Sequence, residues 1–376
     1  MAKKIVAAKK TVAPKQVESI RHKDKRTNIP TEELRDFVAD EELAPKTMLY
    51  PRDPSLDPQL VWKGKDEQDR EDLAVPVVPI YIQEKIHPQA IIDALPRLEK
   101  QADDELGVVD GDKVISLSRA APRLASGMIE LIARWGRIEG EVRRLAQSGP
   151  RLALKAVRLL PPIPRPGKIL AIGLNYADHI LETGHEMPAR QVWFCKQPTA
   201  ANGPYDPIRL PKVSERLDYE AELVAVIGRG GRYIPKDRAP QAVFGFCCGN
   251  DVSARDWQMA TPQWMLGKSF DTHAPFGPWI VTADEVGDPH ALGVRSFVNG
   301  EKRQDSNTSH FVFGVWDQIE HVSQVMTLEP GDLLFTGTPG GVGMAMKPPR
   351  YLQAGDRVRV EVDKLGFLEA ICRPEE

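Results

Sequence analysis

Two glutamates separated by one residue, Glu220 and Glu222, lie in the apolar segment 217–228. Its Val, Ile, Leu and Tyr content is typical of a β-strand. Because successive side chains of a strand point to opposite faces, the two carboxylates point the same way. Asp251 follows a second apolar run. Such oxygen ligands suit a hard cation, Mg²⁺ or Mn²⁺ with Ca²⁺ as a further option, and leave positions open to substrate. The alternative is a solvated strand edge.

A histidine and a glutamate three residues apart, His179 and Glu182, follow a short apolar run. If this segment is helical, the two side chains share one face, and Glu182 orients the imidazole and raises its basicity. Such a pair can deprotonate water as a general base. The alternative is an exposed surface pair of little energetic weight.

Two cationic side chains follow in the same half of the chain. Arg255 either binds a carboxylate of a ligand or only braces Asp256, since a guanidinium suits both tasks. Lys268 lies between Gly267 and the segment 275–278, which contains two prolines and a glycine. A backbone fixed in this way can aim the ammonium at developing negative charge. An ordinary loop lysine is the alternative.

The pattern around these residues predicts an α+β fold that is mainly β. After Lys168 most apolar runs are short and are separated by Gly and Pro, which favours strands over a regular succession of βαβ units. The predicted strands are Ile169 to Gly173, Tyr219 to Ile227, Val243 to Cys248, Trp279 to Thr282, Val294 to Val298, Asp332 to Thr336 and Arg357 to Val362.

The chain is expected to divide into three parts. Residues 98–165 form a small α+β domain and linker, with a hairpin at 106–115 and a helix at 125–145. Four prolines between 161 and 166 mark the linker, and residues 166–376 form the catalytic domain. Residues 1–97 are expected to be a largely disordered extension, with one candidate helix from Thr31 to Leu43.

Composition gives little reason to expect a nucleic acid or a membrane as the main partner. The formal net charge is −3 and the sequence pI about 6.3, which gives no global reason to expect nucleic acid or a membrane. Apolar runs are strand-sized, well short of the roughly 20 residues that a membrane span needs. Four cysteines show no metal-ligand spacing, so a reducing compartment and a cytoplasmic location are expected. The basic N-terminus leaves an organellar presequence as the alternative.

The N-terminal segment has a different character. Residues 1–28 contain nine Lys or Arg against Glu18 and Asp24, which predicts a solvated tail without a role of its own. Weak contact with polyanions through charge alone is the alternative. The segments 57–69 and 81–88 resemble a stretch of restriction-type adenine DNA methyltransferases. Neither an Asp-Pro-Pro-Tyr motif nor a glycine-rich cofactor motif accompanies them, so no methyltransferase role is assigned to any residue.

Five motifs in order resemble the fumarylacetoacetate hydrolase family, over roughly residues 100 to 372. The similarity is greatest to the fumarylacetoacetase-domain-containing protein 2 type and to bacterial members labelled ureidoglycolate lyase. The motifs are Asn-Tyr-x-x-His-x-x-Glu from Asn175, Asp-Tyr-Glu-x-Glu from Asp218, Asn-Asp-Val-Ser-Ala-Arg-Asp-Trp-Gln from Asn250, Gly-Lys-Ser-Phe-Asp from Gly267 and Thr-Gly-Thr-Pro from Thr336.

The resemblance implies a mixed β-roll catalytic domain in a homodimer. It implies that the Mg²⁺ or Mn²⁺ ligands are Glu220, Glu222 and Asp251, and that His179 with Glu182 activates water. It further implies that Lys268 lies near the metal and that the substrate's carboxylate and oxo groups are held by Arg255, Gln258 and Thr338.

The implied activity is metal-dependent hydrolysis of a C–C bond in a small-molecule 2,4-dioxo acid, such as an acylpyruvate, through an enolate next to a 2-oxo carboxylate. A divalent cation chelated by the 2-oxo acid stabilises such an enolate. Alternatives within the family are a ureidoglycolate lyase, an oxaloacetate decarboxylase or a hydroxymuconate-type isomerase. A catalytically silent binding module is the alternative from another class.

Overall fold

The computed structural model describes residues 104–184 and 186–376 and, for the backbone, the strand Val77–Ile82. The predicted basic tail 1–28, the helix from Thr31 to Leu43 and the methyltransferase-like segment 57–69 lie outside the described residues.

The described chain is built mostly of short strands. They are β1 (Val77–Ile82), β2 (Glu105–Asp110), β3 (Lys113–Ser116), β4 (Arg151–Ala153), β5 (Val157–Leu159), β6 (Ile169–Gly173), β7 (Val192–Lys196), β8 (Ala201–Asn202), β9 (Ile208–Leu210), β10 (Leu217–Asp218), β11 (Ala221–Ile227), β12 (Val243–Asn250), β13 (Ser253–Ala254), β14 (Ala274–Thr282), β15 (Gly293–Val298), β16 (Glu301–Asn307), β17 (Leu333–Phe335), β18 (Arg357–Val362) and β19 (Gly366–Pro374).

Helices are fewer and mostly short. The α-helices are α1 (Leu117–Ala120), α2 (Met128–Ser148), α3 (Ala177–Thr183), α4 (Arg255–Gln258), α5 (Met265–Lys268), α6 (Ala283–Val286) and α7 (Val315–Val325). The 3₁₀ turns are Leu154–Ala156, Pro198–Ala200, Lys236–Ala242, Thr308–His310 and Gly343–Ala345.

A twelve-stranded sheet forms the centre of the fold. Its strand order is β4-β3-β2-β1-β14-β12-β11-β17-β6-β7, with β5 paired to β1 and β8 paired to β14. Most pairs are antiparallel, whereas β17–β6 and β14–β8 are parallel. A five-stranded sheet in the order β16-β15-β18-β19-β9 and the two-stranded pair β10–β13 complete the fold. The predicted mainly β class is therefore confirmed.

Strand β11 shows how the sheet separates two cores. Val224 and Val226 pack in one core with α2, whereas Leu223, Ala225 and Ile227 pack in a second core with α7 and the five-stranded sheet. The alternation follows from the pleat of a strand. Because both faces of β11 are covered, its sequence after Glu222 is a continuous apolar run, Leu223 to Ile227, rather than an alternating one.

Most elements predicted from apolar periodicity are present. The strands at 169–173 and 357–362 match in both bounds, and the hairpin and the long helix appear as β2–β3 and α2. The strand predicted from Tyr219 is interrupted, because β10 ends at Asp218 and β11 starts at Ala221. Glu220 therefore lies in the short link between two strands.

The small part at 98–165 and the catalytic part at 166–376 share strand pairing and a hydrophobic core. Strand β1, which falls within the predicted extension 1–97, pairs with β2 and β5 of the small part and with β14 of the larger part. One core contains α2 together with residues of β6, β11 and β17. The proline segment at 161–166 is partly buried, with Pro162, Ile163 and Pro166 buried and Pro164 and Arg165 exposed, and the three-part division stays a prediction.

Among the residues that the structure describes, no helix is both long and apolar enough to cross a membrane.

Candidate metal centre

The register of β11 and β12 brings the three acidic residues together. Ala221 pairs with Asn250 and Glu222 with Gly249, so Asp251 lies opposite Glu220 just beyond the paired residues. The backbone N–H of Asp251 donates to the carbonyl of Glu220 at 2.9 Å. Carboxylate oxygens of Glu220, Glu222 and Asp251 all lie within 4.8 Å of one another, and all three residues are buried.

Two lysines reach this carboxylate triad from different sides. The ammonium of Lys268 donates to Oε2 of Glu220 and to Oδ2 of Asp251, each at 2.7 Å. The ammonium of Lys196, at the end of β7, donates to Oδ1 of Asp251 at 2.5 Å and to the carbonyl of Val252 at 3.2 Å. Asp251 is therefore held by one lysine on each oxygen. Burial lowers the pKa of Lys196, although the charge of Asp251 opposes this.

The members of the triad differ in charge compensation. Burial disfavours the charged form of Glu220, but Lys268 and Arg255 outweigh it and lower its pKa to about 2. For Glu222, burial and then the negative charges of Asp251 and Glu220 raise the pKa well above its usual value. Within the described residues Glu222 has no ion pair, and its Oε2 accepts a hydrogen bond from the N–H of Gly337 at 2.8 Å.

This donor set fits a hard divalent cation. All ligands are carboxylate oxygens, which Mg²⁺ and Mn²⁺ prefer, and one buried carboxylate lacks a cationic partner among the described residues. A divalent cation bound here would compensate the crowding that raises the pKa of Glu222.

Arg255 forms a bridge between the triad and the rest of the site. Its Nε donates to Asp218 at 2.9 Å, and its Nη1 contacts Glu220 at 2.6 Å and Oε1 of Gln258 at 2.9 Å. Asp256 instead accepts a hydrogen bond from Ser214, so the alternative brace between Arg255 and Asp256 is not formed. The remaining nitrogen, Nη2, is buried and has no hydrogen-bond partner in the described structure.

Helix α3 carries the histidine and glutamate. Nδ1 of His179 lies 2.9 Å from Oε1 of Glu182, and Oε2 of Glu182 accepts from the N–H of Gly341 at 2.8 Å. The expected i, i+3 arrangement is thus present. With Nδ1 engaged, Nε2 is the ring nitrogen left for chemistry.

The turn before α3 is fixed by a buried asparagine. Leu174 has a φ of 53°, a left-handed conformation that a leucine rarely adopts. The side chain of Asn175 donates to the carbonyls of Phe313 and Thr336 and accepts from the N–H of Phe313, at 2.7 to 3.0 Å. These hydrogen bonds hold the strained turn and therefore the start of α3.

Thr338 is placed by the turn after β17. Gly337 has a φ of 98°, and a Cβ there would lie 2.7 Å from Cβ of Asn175, so only glycine fits without rearrangement. The hydroxyl of Thr338 donates to the carbonyl of Ala221 at 3.0 Å and accepts from Gln304 at 2.8 Å. Its donor is thus already used within the protein.

A cavity of about 80 Å³ connects these groups. Most of the site residues predicted from the sequence line it, whereas Asp251 and Glu182 reach it through their contacts with Lys268 and His179. The polar lining consists of His179, Thr183, Glu220, Glu222, Arg255, Gln258, Lys268 and Thr338, and the apolar lining of Ile172, Gly173, Leu174, Phe194, Met259, Trp264 and Met344. A larger cavity of about 760 Å³, beside β5, contains none of the predicted residues.

Sequence reasoning missed three contributors. Lys196 ends an apolar strand, which is its one local signal, and its partner is 55 residues away. Asp218 begins the Asp-Tyr-Glu-x-Glu motif, but the sequence gives no role for it. In the structure its carboxylate accepts hydrogen bonds from Arg255 and from the backbone N–H groups of Tyr219, Gly343 and Met344. Trp264 lies outside all five motifs, so the sequence offers no signal for it.

The chain is similar to known proteins over most of its described length. Residues 168–372 match the family described as "Fumarylacetoacetate (FAA) hydrolase C-terminal". Oxaloacetate tautomerase FAHD2A, mitochondrial, of Bos taurus is 45% identical over 262 residues, which cover 69% of this chain and 83% of the bovine protein. The name of the bovine protein places it in mitochondria, which differs from the cytoplasmic location predicted here.

Two solved structures share the fold. Fumarylacetoacetate hydrolase from Exiguobacterium antarcticum is 35% identical with a TM-score of 0.68, covering 80% of this chain and 100% of that chain. Maleylpyruvate hydrolase from Sphingobium sp. SYK-6, in complex with manganese (II) ion and pyruvate, is 33% identical with a TM-score of 0.62, covering 73% and 97%. The fold implied by the sequence resemblance is thereby confirmed.

Proposed function

The chain belongs to the fumarylacetoacetate hydrolase family, and from this we propose that it interconverts the enol and keto forms of a small 2-oxo acid of the size of oxaloacetate. The observation that carries the proposal is the meeting of a carboxylate triad, a buried guanidinium and a His–Glu pair in one small cavity. Its volume of about 80 Å³ is small beside the roughly 300–1,000 Å³ of common ligand pockets.

Arg255 is proposed to bind the carboxylate of the substrate. Its Nη2 is the nitrogen of the guanidinium without a partner in the described structure, and its other contacts with Asp218, Glu220 and Gln258 hold the group rigidly. A pre-oriented guanidinium loses little entropy on binding a carboxylate. The amide nitrogen of Gln258 and the ammonium of Lys268 are proposed to stabilise the oxo oxygen, where negative charge develops.

Glu220, Glu222 and Asp251 are proposed to hold Mg²⁺ or Mn²⁺. When bound, such a cation supplies a Lewis acid beside the oxo oxygen of the substrate. The contacts of Lys196 and Lys268 keep the carboxylates of Glu220 and Asp251 oriented, and the N–H of Gly337 orients that of Glu222.

His179 is proposed to move the proton. Nε2 takes a proton from the carbon next to the oxo group and delivers it to the oxo oxygen as the enol forms. In the reverse reaction Nε2 takes the proton from the enol hydroxyl and delivers it to the carbon. Glu182 accepts the hydrogen bond of Nδ1–H and stabilises the imidazolium, while Gly341 holds Glu182 in place. A positioned base of this kind contributes about 10²- to 10⁴-fold to a rate.

Hydrolysis of a 2,4-dioxo acid is the second candidate, and the same His179–Glu182 pair favours it, because the pair suits deprotonation of water. A solved relative is named as a hydrolase of maleylpyruvate. In this case water attacks the remote carbonyl and the C–C bond breaks. The acyl part leaves as a carboxylic acid, and the other part leaves as the enolate of the 2-oxo acid, which takes the proton that His179 removed from water. The homodimer that the family implies is likewise proposed, and light scattering of the purified chain tests it.

A substrate panel tests these proposals. The purified chain, with Mg²⁺ or with EDTA, is assayed for loss of the ultraviolet absorbance of enol-oxaloacetate and for cleavage of acetylpyruvate, decarboxylation of oxaloacetate and cleavage of ureidoglycolate. We expect enol decay that requires the cation and is lost in His179→Ala. Acetylpyruvate cleavage without accelerated enol decay would favour hydrolysis. Turnover that is unaffected by EDTA would contradict both.

A further inference from the structure

One side of the cavity is closed by an apolar wall, which consists of Gly173, Phe194 and Trp264. Gly173 ends β6, Phe194 lies in β7 and Trp264 directly precedes α5. Ala171 pairs with Phe194 across β6 and β7, so Gly173, two residues on, lies on the same sheet face as Phe194. Trp264 covers this face.

The indole is packed against the strand without space for movement toward it. A Cβ on residue 173 would lie 2.2 Å from the Trp264 ring, so the indole occupies the volume that any other residue would need there. The ring of Phe194 contacts Trp264 edge-on at a centroid distance of 5.6 Å. Lys268, on the helix that follows Trp264, lies 4.8 Å above the other aromatic ring, Phe194. The wall is thereby fixed relative to the catalytic groups.

The wall lines the same cavity as the polar groups Arg255, Gln258 and Lys268. Hydrogen bonds from Arg255 to Gln258 and from Lys268 to Glu220 hold these groups in place, and under the proposed function they bind the 2-oxo carboxylate. A group extending from the oxo carbon in the direction of the wall would meet the two rings. Because packed aromatic side chains do not yield without loss of contacts, length on this side is limited by sterics rather than by charge.

We propose that Trp264, seated on Gly173 and Phe194, is the specificity-determining residue that restricts the site to 2-oxo acids with a short substituent. The inference rests on the proposed function, since it requires the 2-oxo carboxylate to be bound at Arg255. It deepens that function by naming the substrate class: compact acids of the oxaloacetate or acetylpyruvate kind pass, and long-chain acylpyruvates are rejected.

Two non-reacting ligands test whether the wall limits the length of the bound acid. Oxalate resembles the compact 2-oxo carboxylate end, and N-butyl oxamate adds a linear apolar chain to it. Calorimetric titration with Mn²⁺ present gives the ratio of their dissociation constants for the wild type, Trp264→Ala, Trp264→Leu and Gly173→Ala. Leu266→Ala, on the adjoining helix α5 with a side chain 54% exposed, is the matched control.

We expect oxalate to bind equally to all five proteins within about threefold. The N-butyl oxamate affinity should rise about tenfold or more relative to oxalate in Trp264→Ala, since each newly buried methylene contributes about fourfold. Trp264→Leu should give a smaller rise, Gly173→Ala should change the ratio by displacing the indole, and Leu266→Ala should not. The acylpyruvate chain-length profile of kcat/KM should shift in the same order.

The outcomes separate the two proposals. An unchanged ratio in the folded Trp264 variants, with oxalate bound normally, would overturn the role of the wall and leave the proposed function standing. Failure of the wild type to bind oxalate would overturn the proposed function and the wall's assigned role with it. Circular dichroism establishes that each variant is folded, and Trp264→Leu retains an apolar side chain at the position.

Discussion

The carboxylate triad and the core beneath α2 are buried to the same degree for opposite reasons. Glu222 is 1% exposed and Leu131, on α2, is 0% exposed. Burial of an aliphatic side chain such as Leu131 stabilises the fold by about 1.5–3 kcal/mol. Burial of a carboxylate costs free energy unless cations and hydrogen bonds compensate it.

The compensation in the triad is incomplete, whereas the core needs none. Lys268 and Arg255 lower the pKa of Glu220, but burial and its acidic neighbours raise that of Glu222. A buried group that costs stability and faces a cavity is characteristic of a functional site. Neutralising a triad carboxylate should therefore reduce activity and increase stability in the absence of a cation. Truncating a core side chain should reduce stability and leave activity unchanged.

The largest effect is expected for Glu222→Gln. The amide keeps the shape and the hydrogen bond from Gly337 but removes a charged ligand, so enol decay should fall about a thousandfold or more. Steady-state kinetics with saturating Mg²⁺ measure it. Glu215→Gln, at an exposed glutamate, is the control. Activity of Glu222→Gln within tenfold of wild type would show that Glu222 is not needed for the reaction.

The same variant should be more stable than wild type in EDTA. The pKa of Glu222 is raised in the folded protein, whereas in the unfolded chain this carboxyl is ionised at pH 7. Folding at pH 7 is therefore less favourable than it would be with a neutral side chain at this position. We expect a gain of about 1–3 kcal/mol in urea unfolding at pH 7. A loss of stability would show that the carboxylate is well compensated without a cation.

Leu131→Ala should give the opposite result. Deleting the buried side chain leaves a cavity against the sheet and should reduce the free energy of unfolding by about 2–5 kcal/mol. Mn²⁺ affinity and kcat at a temperature where the variant is folded should stay within about twofold, because Leu131 packs in the core and not against the triad. Gln147→Ala, exposed on the same helix, should change neither quantity. A matching loss of Mn²⁺ affinity would mean that the two regions are coupled.

Lys196→Met should weaken Mn²⁺ binding about 10- to 100-fold, the range for groups that orient metal ligands. The methionine fills the space of the lysine but leaves Oδ1 of Asp251 without its 2.5 Å partner. Calorimetry of the metal-free protein measures the affinity. Lys302→Met, on an exposed lysine, is the control; equal affinities of the two variants would reduce Lys196 to a structural residue.

A further effect concerns pH and a residue outside the triad. His273 is buried, its Nε2 donates to the carbonyl of Arg209, and burial above all lowers its pKa to about 3. The unfolded histidine gains a proton below about pH 6.5 and the folded one does not, so stability is full above that pH and declines as pH falls toward 3. Between pH 7 and 5 the wild type should lose about 2 kcal/mol more than His273→Gln. Parallel urea-unfolding curves of the two proteins would contradict this.

The sequence allowed prediction of contacts that local periodicity determines. Strand alternation predicts that Glu220 and Glu222 lie together, and their carboxylates do meet, although Glu220 lies in the link before β11 rather than in the strand. His179 meets Glu182 because they are three residues apart on a helix. Their placement beside Asp251 required only that two apolar runs pair. The mainly β class followed from the many short runs.

Contacts between distant segments could not be predicted in this way. Periodicity gives the buried face of a strand but not what packs against it, so Lys196 and Trp264 were missed. For Arg255, the protein partner considered was its neighbour Asp256, whereas the structure pairs it with Asp218. Strand β16 was missed because it is the polar edge of its sheet and lacks an apolar pattern.

Titration of the metal-free wild type with Mn²⁺, followed by electron paramagnetic resonance of the free ion, tests the central claim most directly. We predict one bound Mn²⁺ per chain, displacement of that ion by excess Mg²⁺, and loss of the binding in Glu222→Gln and in Asp251→Asn. Binding that persists in both variants, or no binding by the wild type, would contradict the account.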